Sequence, residues 1–172
     1  FAYALDKEFT KLNMAIYHQE GQALSPNTLN KLLQEINKVI QKPEAITIKD
    51  FSLEKNIPNE TTDEDLNYLI KSYPADWACK TAVLQIFVLK KYAPLPTYAG
   101  LGKDDSHIFL FMDAIKDVAD KQSSSQGVEI STILHEFGHL LGAEHIDGQD
   151  CILSQSVENI TYNLPSTILT SY

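Results

Sequence analysis

Ile130 to Asp147 reads ISTILHEFGHLLGAEHID, and within it His135, Glu136, His139, Gly142 and His145 take the spacing H-E-x-x-H-x-x-G-x-x-H. On a helix, residues four apart lie about 40° apart around the axis and one turn along it, so His135 and His139 direct two imidazoles to one point. Two histidines so spaced are half of a zinc site. Glu136 is turned by about 100° from His135, which sets its carboxylate beside a metal rather than on it, where it can hold a water and take its proton. Were the helix to continue, His145 would lie about 240° round the axis from His139 and face away. The helix must therefore end, and Gly142 stands where the chain can adopt the left-handed conformation that turns it back. Three neutral imidazoles with an open fourth position are the ligand set of a catalytic zinc. Leu134, Phe137, Leu140 and Leu141 supply the apolar stripe that seats the helix on a core.

The run HEFGHLLGAEH resembles the zinc-binding signature of the metzincin clan of metallopeptidases. That resemblance implies an α+β domain of α/β/α type: a twisted mixed sheet with an antiparallel edge strand, a backing helix, an active-site helix and a small irregular C-terminal subdomain. It also implies a zinc-dependent endopeptidase that hydrolyses peptide bonds through metal-activated water, with Glu136 as general base and one Zn2+ held by His135, His139 and His145. In the clan an extended substrate pairs with the exposed edge strand, and Tyr98 to Gly102 is similar to that strand in position and small-residue character. The same residues also read as a glycine turn between two strands. A methionine turn runs beneath the metal in metzincins; here Asp150-Cys151-Ile152-Leu153-Ser154 puts Leu153 at that place, with nearly the same volume and no polar atom. Ile146 does not match the residues that commonly follow the third histidine, so no family within the clan is assigned. Two other readings stand beside this one: a gluzincin-type peptidase with Glu158 as third ligand, and a zinc-containing, hydrolytically silent module that binds peptide.

Composition sets the frame. With 172 residues, 44% of them hydrophobic, the chain is long enough for one domain with a real core and too short for two ordinary ones. Within it, residues 1–142 would carry the sheet and zinc helix, and 143–172 the small C-terminal subdomain. A net charge of -9 argues against nucleic acid or an anionic membrane as partner. No apolar run reaches membrane-spanning length. The chain starts at Phe1 with neither an initiator methionine nor a signal-peptide pattern, as a mature or an engineered fragment would; a processed, secreted or extracytoplasmic enzyme is expected, as a monomer. Cys79 and Cys151 either form one disulfide or remain two buried thiols. Asn59-Glu60-Thr61 and Asn159-Ile160-Thr161 match the glycosylation sequon.

Along the chain, Lys11 to Gln19 alternates as a half-buried first strand. Ser25-Pro26 then caps a helix through Leu29, Leu32, Leu33, Ile36, Val39 and Ile40, which Lys42-Pro43 stops. Ala45 to Phe51 is a second strand, and Thr61 or Thr62 caps a short inserted helix that ends before Tyr73-Pro74. Ala82 to Leu89 is a nearly continuous apolar run suited to a central strand, and His107 to Met112 is another strand. Asp113 begins a stretch of possible helical spacing that ends in a flexible surface linker, KQSSSQ, through Gln126.

Other polar residues have plainer readings. His18 and His107 are isolated and fit packing or surface positions better than a ligand role. Lys103-Asp104-Asp105-Ser106 can bind calcium or simply form a solvated turn. Asp147 can orient a metal-binding imidazole or be a plain loop residue. Tyr162 resembles the tyrosine after the turn that offers a phenol to a tetrahedral intermediate in some metzincins, but its distance from the turn is wrong for that role.

Overall fold

In the computed structural model, which describes Leu5 and residues 7–54, 56–76, 78–122, 125–146 and 152–153, nine consecutive buried residues form the middle of the main sheet. That strand, Thr81–Leu89, has apolar neighbours on both faces, as its nearly continuous hydrophobic run requires. The elements in chain order are β1 (Lys11–His18), α1 (Pro26–Val39), β2 (Ala45–Ser52), β3 (Glu60–Thr61), α2 (Asp63–Ser72), β4 (Thr81–Leu89), β5 (Lys91–Tyr92), β6 (Gly100–Lys103), β7 (His107–Phe111), α3 (Met112–Gln122) and α4 (Ser125–Leu140). The five-stranded sheet has the order β2-β1-β4-β7-β6, parallel throughout except for the antiparallel edge β6. β3 and β5 pair separately.

Strand alternation divides the core in two. Leu84, Ile86, Ile108 and Leu110 face α1, α3 and α4, joining Leu32, Ile36, Ile115, Ile133 and Phe137. Phe87, Leu89, Phe109 and Phe111 face the other way, onto Leu66 and Leu69 of α2 with Leu53 and Tyr92. The mixed α+β architecture with an antiparallel edge is as expected.

Local chemistry explains the helix ends. Ser25 accepts from the Thr28 amide with Pro26 beginning α1. Thr62 and Asp65 form a reciprocal capping box at the start of α2.

The structure corrects three boundaries. Helix, not linker, occupies most of residues 113–126: α3 runs to Gln122 and α4 already starts at Ser125. Apolar seating of Ile115, Val118, Val128 and Ile130 in the core overrides the weak propensity of the serines. The edge strand is Gly100–Lys103 instead of Tyr98–Gly102, because Tyr98 closes a turn on Leu95 while Lys103 still pairs with His107. Met112 opens α3 instead of ending β7. Among the described residues, no helix is long and apolar enough to cross a membrane. Cys79 is free and exposed, whereas Cys151 lies outside the described residues, as do Asp147, Glu158, Asn159, Tyr162 and nearly all of the predicted C-terminal subdomain past Ile146.

Candidate metal centre

α4 carries His135, Glu136 and His139 and stops one residue later. Gly142 has φ +92°, its amide donates to His139 O, and the Ala143 amide reaches back to Gly138 O. These two bonds are a Schellman closure, which needs the left-handed residue that glycine supplies. The chain then reverses and brings His145 to the other two. His139 Nε2 lies 3.0 Å from both His135 Nε2 and His145 Nε2, and the remaining pair is 3.3 Å apart. His135 is buried, His139 half-buried and His145 exposed, so the cluster opens to solvent on one side.

The protonation pattern follows from the partners of the other ring nitrogens. His135 Nδ1 lies 2.7 Å from Ile152 O, and His139 Nδ1 lies 2.8 Å from Ala143 O. A carbonyl only accepts, so each Nδ1 must carry the hydrogen, and in the neutral ring Nε2 then holds a bare lone pair. Burial lowers the His135 pKa, helped by the neighbouring imidazoles and opposed by the Ile152 hydrogen bond, so the neutral form is favoured. Bare nitrogens about 3 Å apart repel one another unless a cation lies between them. Zinc–nitrogen bonds of about 2.0–2.1 Å in a tetrahedron put ligand atoms roughly 3.3–3.4 Å apart, close to the spacing here. The donor set fits the metal.

Glu136 does not join the three nitrogens. Its Oε2 accepts from the Gly102 amide of β6 at 2.7 Å. Burial raises its carboxyl above the ordinary value, and the Gly102 bond and nearby His139 pull the other way. Beneath the helix, Leu153 is buried so close to Gly138 that a Cβ there would lie 2.7 Å from Leu153 Cδ2. The Ile146 amide donates to Leu153 O and ties the reversal to this floor.

The three predicted ligands therefore converge, and Leu153 lies under their helix. His18 instead faces Asp50, 3.6 Å away, and buried His107 bonds Gln85 Oε1 through Nε2 at 2.8 Å. Asp104 and Asp105 gather no third ligand, the histidine trio being the one such group among the described residues. Sequence reasoning missed the backbone groups that orient the site: Ile152 O, Ala143 O and the Gly102 amide. No side-chain pattern announces them; the Gly100 and Gly102 pair in an edge strand was the available hint.

No protein-family model matches the chain, and no curated protein does. The crystal structure of archaemetzincin from Methanopyrus kandleri matches with a TM-score of 0.65 at 13% identity, over 88% of this chain and 87% of that one. The fold is archaemetzincin-like. A zinc-dependent peptidase from Methanocorpusculum labreanum matches with a TM-score of 0.55 at 15% identity, over 86% of this chain and 91% of its own. Metalloproteinase-II from Bacteroides fragilis gives 0.57 at 14% identity, over 90% of this chain and 49% of its own. The archaemetzincin-like fold sets the mixed sheet and edge strand over the helix that carries the histidines.

Proposed function

We propose that this chain is a zinc-dependent endopeptidase of metzincin type, with one ion held by His135, His139 and His145. The convergence of three imidazole nitrogens, two of them orientated as bare donors by backbone carbonyls, carries the reading. The fold shared with peptidases supports it. Zinc in such a set supplies Lewis acidity towards a carbonyl and makes nearby water acidic. Glu136 takes the proton of the attacking water and returns it to the leaving amine, a task suited to a buried carboxylate whose pKa is raised towards neutrality. In strand β6 the backbone groups of Gly100 and Gly102 point away from β7, since Phe111 donates to Ala99 O and the bonded pairs alternate from there. Of these the Gly102 amide is taken by Glu136, and the Gly100 amide and the two carbonyls face the free edge. A substrate peptide adds there as a further strand, without regard to its side chains.

Incubating the zinc-loaded protein with a mixed peptide library, with and without chelator, tests the proposal by mass spectrometry. Internal cleavages that vanish with chelator are expected. Stoichiometric zinc uptake with no cleavage would identify a silent peptide-binding module and defeat the peptidase reading.

A further inference from the structure

Strand β6 does more than offer an edge. Gly102 points its amide away from β7, and that amide donates to Glu136 Oε2 at 2.7 Å. The approach depends on missing side chains. A Cβ at Gly100 would lie 2.6 Å from Thr132 Cγ2 and 2.9 Å from both Cγ and Oε1 of Glu136. A Cβ at Gly102 would lie 3.3 Å from Glu136 Oε2 and 3.7 Å from Leu140 Cδ2. Thr132 and Glu136 are one turn apart on α4, so the two glycines lie along the same ridge of the helix.

We propose that Gly102 is a positioning residue for hydrolysis, its backbone amide anchoring the Glu136 carboxylate, and that glycine at 100 and 102 lets the edge strand lie close enough to do so. This rests on the peptidase reading above. A glutamate has three side-chain torsions, and one charge-assisted bond to a strand fixed in the sheet removes most of that freedom. One carboxylate oxygen is tied to the strand, leaving the other to carry the proton. The edge strand and the general base are thus a single device: the backbone that aligns the substrate also holds the group that deprotonates the attacking water. Reaction rates fall steeply with small displacements of a positioned group, so the anchor acts on turnover rather than on substrate affinity.

Two measurements on the zinc-loaded chain test this. In the first, NMR hydrogen exchange of the Gly102 amide is compared between wild type, Glu136→Gln and Glu136→Ala. The amide should be protected in wild type and in Glu136→Gln, which keeps an acceptor oxygen, and exchange at least about tenfold faster in Glu136→Ala. Equal exchange in all three would overturn the anchor. In the second, Gly102→Ala should lower kcat about tenfold, with KM within about twofold and zinc affinity unchanged, because a tenfold change follows from a displacement well under an ångström. A change in KM alone would assign Gly102 to substrate binding and overturn the proposal. Should Gly102→Ala fail to fold, the exchange comparison decides alone. A wild type that cleaves nothing defeats the peptidase reading, and with it the catalytic role, while the exchange data still settle the bond.

Discussion

The two faces of the sheet treat buried polar atoms in opposite ways. Around α2 the buried side-chain polar atoms of the described residues are paired. Gln19 takes the Lys90 amide on Oε1 and donates to Ile57 O; Gln85 donates to Tyr73 O and accepts from His107; Thr61 donates to Lys91 O. Stacked rings fill the space between, Phe87 lying 5.2 Å from Tyr17 and 5.1 Å from Phe109. On the α4 face, three imidazole Nε2 atoms converge on one point, two of them as bare lone pairs, and a buried carboxyl sits next to them in sequence. Closed pairs stabilise a fold, whereas unpaired donors facing each other weaken it unless a ligand supplies the missing charge. The open face is where function should be sought, and the closed face is scaffold.

If so, substitutions on the two faces should separate activity from stability. The largest effect is expected for Glu136→Ala, which should lower peptide hydrolysis by about 10²- to 10⁴-fold, the usual contribution of a general base. Calorimetric titration should show unchanged zinc uptake, whereas His139→Ala should lose both zinc and hydrolysis. On the closed face, Phe87→Ala should lower unfolding free energy by about 3–5 kcal/mol in denaturant melts, with zinc affinity of the folded protein unaltered. Gly138→Ala should do a little of both. The added Cβ must displace Leu153, costing about 1–3 kcal/mol, and should weaken zinc binding about tenfold because Ile152, next in the chain, orients His135.

The smallest effect concerns pH. Burial holds the His107 pKa below its ordinary value of 6.5, so below that pH the unfolded chain binds the proton first. Stability contributed by neutral His107 is therefore full above the ordinary value and lost as pH falls towards the lower folded one. A single proton bounds the slope at about 1.4 kcal/mol per pH unit. His107→Gln, which still offers Gln85 an N–H, should flatten the acid side of a plot of unfolding free energy against pH. An unchanged slope would mean that His107 is solvated and that the closed face is less closed than described.

Much of the open face was legible in the sequence because it is made from side chains at fixed intervals. His135 and His139 follow from helical spacing, and Gly142 follows from the need to turn His145 back. The central strand was legible for a related reason, since Ala82 to Leu89 is apolar but for Gln85 and so has no alternating polar face for solvent. What escaped was made of backbone. An amide at 102 or a carbonyl at 143 or 152 is the same chemical group in any residue, and only folding shows which one meets a histidine or a carboxylate. The two-residue pairing of β3 with β5 is too short for any periodicity to register. Ser125 and Gln126 look like linker until the apolar residues behind them are seen to dock.

The Ile152 carbonyl has a temporal meaning as well. A ribosome making this chain would finish all three histidines by residue 145, yet the group that fixes the first of them arrives seven residues later. Up to that moment His139 already has the Ala143 carbonyl, whereas His135 still lacks its acceptor. The histidine made first is thus the last of the cluster to gain the acceptor that orients it.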